Sequence, residues 1–232
     1  LMEKGHKKAI FITWKYAAGN EARAGFEEGY TKFGGELIDT LYVPFPNVEF
    51  QALLTKISAV KPDAVVCFFA GGGAVKFVKD YAASGLKDKI PLYGSGFLTE
   101  GVLPAQGVAA EGLMTTLHYA DSLQNEINKS FRTKYYEKHE KLADVYAMQG
   151  YDTGLVLSQS LKKGNGDFKD RSGMIRAIEG MRVDSPRGQW TMSKAHNPIQ
   201  NIYLRQVINN DNKVLETAWD ALEDPATGCG LI

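Results

Sequence analysis

Over roughly its first 117 residues the chain alternates between two hydrophobic periods, and this alternation narrows the folds open to it more than any other feature. "KKAIFIT" (7–13) is an apolar run of strand length, and a helical pattern follows from about Asn20 to Phe33. "GGELIDTLYV" turns and starts a second strand. From Glu49 to Val60 the apolar residues Phe50, Leu53, Leu54 and Ile57 fall at helical spacing, and "KPDAVVCFF" reads as a third strand after a Pro-Asp turn. Val75, Phe77, Val78 and Tyr81 predict a helix ending near Ser84-Gly85, while "IPLYGSG" and "AEGLMTTL" supply two further short strands. Strand and helix in strict succession predict an α/β fold, a doubly wound parallel sheet with helices on both faces.

After Thr116 the texture changes. "SLQNEINKSFRTKYYEKHEK" and "DVYAMQGYDTGLVLSQSLKKG" predict two long helices and "DRSGMIRAIEGM" a third. In "GQWTMSKAHNPIQNIYLRQVINNDNKVLETA" the polar "NNDN" between alternating apolar segments predicts a hairpin. So many helical faces with so little sheet to cover leave this portion without an obvious core of its own. The expectation is that part of the fold lies outside this sequence. No internal repeat or low-complexity stretch interrupts the pattern.

Composition excludes several function classes. Lys+Arg and Asp+Glu both number 27, so no broad basic face for nucleic acid or anionic lipid is implied. No apolar run approaches the roughly 18 residues of a membrane span. "LMEKGHKKAIFITW" lacks the apolar core and small-residue cleavage site of a signal peptide, so the expectation is a cytoplasmic protein or an export signal lying upstream. Cys67 and Cys229 are too few for a disulfide scaffold and are not at metal-ligand spacing.

In an open parallel sheet, ligands bind beyond the carboxyl ends of the strands. Three such ends are "TWKYAAGNE", "FFAGGGAV" and "YGSGFLTE", all expected on one rim. The glycines match neither the G-x-G-x-x-G nor the G-x-x-x-x-G-K-[ST] phosphate spacing, which leaves a tight turn or a backbone-lined ligand wall. Ser95 lacks the flanking glycines of a nucleophile elbow. His6, His118, His139 and His196 do not pair at metal-binding spacing, and Cys67 sits in an apolar strand as a buried thiol. Asp152 and Glu100 are conceivable as an acid/base pair, but nothing in the sequence brings them together. The rim turns instead carry aromatic residues (Trp14, Tyr16, Phe68, Phe69, Phe97) beside alanines and glycines, a combination suited to a small carboxylate with a flat or branched apolar body.

The run from "KKAIFITWKYAAGNEARAGF" through "AVVCFFAGGGAVKFVKDYAASGL", followed by "IPLYGSGFLTE", "AEGLMTTLHYA" and "DVYAMQGYDTGLVL", resembles the type I periplasmic solute-binding proteins of ABC importers. The branch is the leucine/isoleucine/valine-binding family, in the part that takes aromatic acids. A full member of that family has two α/β lobes joined by three crossovers, with the solute caught between them. The resemblance implies that residues 1–118 form the second lobe, 119–205 a mainly helical remnant of the first, and 206–232 a return strand and tail. It also implies a C-terminal fragment lacking most of the first lobe, with a signal peptide upstream and a periplasmic location.

Carried over residue by residue, the family's contacts fall on Tyr16 and Ala18, on Ala70, Gly71 and Gly72, on Gly96 and Phe97, and on Tyr146 of the remnant. Gly96 stands where the amino-acid binders place an acid for the ligand ammonium, which favours a carboxylate without an amine. Implied partners are that carboxylate and ABC permease subunits, with no nucleic acid, metal, cofactor or catalysis. Apolar faces left uncovered imply a possible homo-oligomer of the fragment. A ligand-sensing domain of a receptor or regulator with the same fold is the alternative, and a nucleotide-dependent α/β enzyme stands behind it.

Overall fold

The structure, a computed structural model, describes residues 1–167, 169–227 and 230. Cys229, whose pairing the sequence leaves open, lies outside the described residues. In chain order the elements are β1 (Lys8–Lys15), α1 (Ala17–Lys32), β2 (Glu36–Pro44), α2 (Gln51–Val60), β3 (Ala64–Phe68), α3 (Gly71–Ala83), β4 (Leu92–Ser95), α4 (Leu103–Gln106) and β5 (Met114–Leu117). They continue with α5 (Glu126–His139), α6 (Val145–Lys163), α7 (Arg171–Ile178), β6 (Arg182–Val183), β7 (Trp190–Met192), β8 (Pro198–Ile208) and β9 (Asp211–Leu222). The chain divides into two compact units, Leu1–Thr116 with Arg205–Asn212, and Leu117–Leu204 with the chain from Lys213 on.

In the first unit the strand order is β2-β1-β3-β4-β5, and the pairings β1 with β2, β1 with β3, β3 with β4 and β4 with β5 are all parallel. This is the doubly wound α/β sheet that the alternation predicts. β1 explains why its sequence reads as an unbroken apolar run rather than an alternating one. Ile10, Ile12 and Trp14 enter a cluster with Phe50, Leu54 and Ile57 of α2 and Phe77, Val78 and Tyr81 of α3. Ala9 and Phe11 point the other way, against Ala22, Phe26 and Tyr30 of α1. Both faces of the strand are therefore buried, as period two requires when helices cover both sides.

Two helix starts differ from the sequence expectation. α1 begins at Ala17 rather than Asn20, directly after the extended Tyr16, and α3 begins at Gly71, so the three glycines form its first turn instead of preceding it. Neither "Tyr-Ala-Ala" nor "Ala-Gly-Gly" carries a side chain able to cap a helix, so the boundary signal is missing from the sequence. The expected hairpin is present: Asn209 and Asn210 take left-handed φ values of 54° and 59° between β8 and β9, the conformation that a two-residue hairpin turn with Asn supports.

In the second unit each of the three helices is capped by an acid or amide side chain. Asn125 accepts from Asn128 N, Asp144 from Ala147 N and Asp170 from Gly173 N. β6 and β7 pair antiparallel, as do β7 and the start of β8, over a cluster built on Met181, Val183 and Trp190 with Leu155, Val156 and Ile178 against it.

Asp63, just before β3, accepts from the backbone N–H groups of Lys7 and Lys8 at 2.8 Å each, tying the start of β1 to that of β3. These two bonds hold its carboxyl below the ordinary value of 3.8. Because the folded group is the more acidic, its stabilisation is present above 3.8 and is lost as pH falls through the lower folded value. Asp63→Asn is expected to lower the urea midpoint at pH 7, and its difference from wild type should shrink as the pH falls from 3.8 through the lowered folded value. Denaturation at a series of pH values checks this.

Candidate ligand-binding site

In the strand order β2-β1-β3-β4-β5 the chain leaves β1 toward β2 on one side and returns to β3 on the other, so the crevice beyond the carboxyl ends of β1 and β3 is a topological switch point. Tyr16 and Ala18 follow β1; Ala70, Gly71 and Gly72 follow β3; Gly96 and Phe97 follow β4. The parallel register puts all three turns on the same rim of the first unit. Thr13 Oγ1 donates to the Phe68 carbonyl at 3.0 Å and fastens the ends of β1 and β3 together there.

An aromatic wall stands on this rim. Trp14 is buried, its Nε1 donating to the Asn47 carbonyl at 2.7 Å, and it meets Phe69, Phe45 and Tyr16 edge-on at centroid distances of 5.1, 5.3 and 6.2 Å. Tyr16 stacks on Phe45 at 5.1 Å and 17°, and reaches Phe68 at 6.4 Å; Phe68 in turn meets Phe97 edge-on at 6.4 Å. Partial burial pushes the Tyr16 phenol above its ordinary value, so it stays protonated at neutral pH. Phe45, 57% exposed, is the wall's outermost ring. Phe45 is not among the rim residues that the sequence suggests, because the rim turn after β2, "PFPN", carries two prolines and no small-residue run. The available signal was its position after a predicted strand.

The glycines play different parts. Gly71 takes φ +55°, and a Cβ on Gly71 or Gly72 would have nothing within 4 Å, so both present open backbone to solvent at the rim. A Cβ on Gly73 would lie 2.2 Å from the Trp14 ring, and one on Gly19 would lie 2.2 Å from the Trp14 carbonyl oxygen. Gly73 and Gly19 therefore let the starts of α3 and α1 close down on Trp14. Neither α1 nor α3 has a side-chain cap, so the first-turn N–H groups of both helices depend on other partners. A rim of uncapped helix starts beside aromatic rings favours an anion with a flat apolar body.

Tyr146 stands in the second unit, on the first turn of α6, 53% exposed. Glu100 and Asp152 fall in different units, and each faces an arginine at 2.8 Å: Glu100 pairs with Arg205, Asp152 with Arg187. Trp190 Nε1 also donates to Asp152 at 3.0 Å, and its ring lies 4.7 Å from the Arg187 guanidinium. Burial pushes the Asp152 carboxyl up, opposed by Ser185, Arg187 and Trp190. Cys67 is buried in β3 and burial raises its thiol pKa, which leaves it unreactive at neutral pH. His139 and His196 are exposed, and His196 sits 2.9 Å from Glu179.

Comparison with known proteins adds four findings. The family model for periplasmic binding proteins matches residues 1–213. A solute binding protein of an ABC transporter from R. palustris, crystallised in complex with benzoate, is 43% identical with a TM-score of 0.94, covering 99% of this chain and 63% of its own. One from Rhodopseudomonas palustris BisB5, in complex with 3,4-dihydroxy benzoic acid, is 33% identical with a TM-score of 0.88, covering 97% and 63%. Leu/Ile/Val-binding protein homolog 6 of Brucella melitensis is 31% identical over 226 residues, 93% of this chain and 58% of its own. The chain thus spans about three fifths of the length of the relatives it matches.

The contrast between neighbouring glycines is directly testable. Gly73→Ala is expected to cost about 1–3 kcal/mol, the usual penalty for overpacking, because the Trp14 ring has to move. Gly72→Ala, in open space inside a helix, is expected to be neutral or to stabilise by up to about 1 kcal/mol. Thermal or urea unfolding followed by tryptophan fluorescence reads both.

Proposed function

The chain belongs to the periplasmic binding protein family, and on that premise we propose that it serves as the solute-binding component of an ABC importer, taking a small aromatic carboxylate and releasing it unchanged. The observation that carries this reading is the aromatic wall of Tyr16, Phe45, Phe68 and Phe97 at the switch point, beside the open backbone of Gly71 and Gly72. A planar ring gains about 0.5–1.5 kcal/mol from each favourable aromatic contact beyond the area it buries. The helix starts at Ala17 and Gly71 attract the carboxylate, each by about 0.3–1 kcal/mol.

Gly96 itself offers no carboxylate to an ammonium group, and the Glu100 carboxylate of the same turn faces Arg205, which turns the preference away from α-amino acids. The benzoate and dihydroxybenzoate complexes of the two similar proteins support the same ligand class. Tyr16, Ala18, Ala70, Gly71, Gly72, Gly96 and Phe97 are the proposed contacts on this rim. Binding without conversion is supported by the surroundings of the candidate acids, since Glu100 and Asp152 each face an arginine. The proposed setting is periplasmic, with delivery to ABC permease subunits.

Micromolar affinity needs about 8 kcal/mol, more than the rim contacts above add up to, so this chain is expected to bind benzoate weakly. Titration calorimetry with benzoate, 4-hydroxybenzoate and leucine tests the class. The aromatic acids should bind more tightly than leucine, and the reverse order would overturn the reading. Phe45→Ala should weaken benzoate binding by about 0.5–1.5 kcal/mol with the fold retained, because the lost ring is an outer one.

A further inference from the structure

Arg205 is the largest fully buried side chain in the chain's described residues, with none of its surface exposed. It lies in the segment Arg205–Asn212, which belongs to the first unit although the chain on either side of it belongs to the second. Its Nη1 donates to Glu100 Oε2 at 2.8 Å, and its Nε and Nη2 reach Thr115 Oγ1 at 3.2 Å. Nη2 also donates to the carbonyl of Gly96 at 3.1 Å. That carbonyl is a hub, for it accepts from the backbone N–H of Thr99 at 3.2 Å and of Glu100 at 3.1 Å as well. The same segment adds a second tie through Asn212, whose Oδ1 accepts from Thr99 Oγ1 at 2.8 Å.

A buried guanidinium is an expensive way to hold a fold together, because well-packed apolar residues usually do as well. What an apolar residue cannot do is orient a peptide group. The peptide bond is planar, so fixing the Gly96 carbonyl toward Arg205 also fixes the plane that leads into Phe97, and turns the Phe97 N–H away from the guanidinium. The Phe97 ring then meets Phe68 edge-on across the end of β3.

We propose that Arg205 is a positioning residue for the solute site: through Glu100, Thr115 and the Gly96 carbonyl it holds the Gly96–Glu100 turn in the one orientation that sets Phe97 into the aromatic wall. The inference rests on the reading of that rim as an aromatic-acid site. Lysine keeps the charge and one bond to Glu100 but has no planar fork, so it cannot hold the carbonyl, the carboxylate and the hydroxyl together. Arg205→Lys should therefore loosen the turn while leaving the rest of the sheet intact. Thr115→Val removes one acceptor with little change of volume and should act in the same direction more weakly.

The experiment measures amide hydrogen exchange over residues 96–100, with β1 and β3 as internal references, together with benzoate affinity by calorimetry, in this chain and both variants. For Arg205→Lys the turn amides should exchange about tenfold faster or more with the β1 and β3 rates unchanged, and benzoate should bind about tenfold more weakly. For Thr115→Val both effects should be about threefold. Faster exchange spread evenly over the first unit would assign Arg205 a purely structural role and overturn the proposal, as would unchanged exchange at residues 96–100. If Arg205→Lys does not fold, Thr115→Val decides by the same pattern. If the wild-type chain binds no benzoate, the aromatic-acid reading fails for this chain, and the exchange pattern alone still decides whether Arg205 positions the turn.

Discussion

Everything in the first unit hangs on β1, which is paired along both edges and buried on both faces. Its hydrogen bonds to β2 and β3 leave it no exposed edge, and its side chains divide between α1 on one face and α2 with α3 on the other. A strand so enclosed fixes the direction of its neighbours. Once β2, β3, β4 and β5 follow it in parallel, every strand-to-helix turn must open on one rim. Trp14 ends this strand as its last buried residue, and both the wall of rings and the closeness of the helix starts are built against it. The aromatic rim is thus a consequence of how the central strand terminates.

Polar groups are buried in both units under the same rule. A charge taken out of water needs a partner and further hydrogen bonds, since an unpaired one costs several kcal/mol. In the first unit Arg205 meets that need with Glu100, Thr115 and a backbone carbonyl. In the second, Asp152 does so with Arg187 and the Trp190 indole. Glu100 and Asp152, which their residue types suggest as a pair, thus each have an arginine partner in a separate unit. Capping differs between the units as well. The helices of the second are closed by Asn125, Asp144 and Asp170, whereas those of the first start without a side-chain cap, next to the rings that would receive a solute.

Much of this was legible in the residues. The run "KKAIFIT" announced a doubly buried strand, and the succession of periods announced a parallel sheet, because both signals are local and survive in one dimension. Tyr16, Gly71 and Phe97 could be placed on one rim, since parallel strands of a single sheet have only one carboxyl edge. Phe45 could not, because nothing in "PFPN" tells that its ring will lie flat on Tyr16. The part played by each glycine was also hidden. Gly72 and Gly73 are adjacent and chemically identical, and only the position of the Trp14 ring, 59 residues earlier in the chain, makes one of them indispensable.

The order of elements, the α/β class and the rim on which the strand-to-helix turns gather were readable from the residues alone, because they follow from periodicity and chain direction. Tertiary structure alone decided which long-range pairs meet. Arg205 lies 105 residues from Glu100 and 109 from Gly96, and Trp14 lies 33 from Asn47. Such contacts depend on packing in three dimensions, where the burial of a charge or the close approach of a ring to a backbone selects one partner among many of the same type. That selection leaves no periodic trace along the chain, so the aromatic wall on the rim and the buried arginine bonded to Gly96 become visible only once the chain has folded.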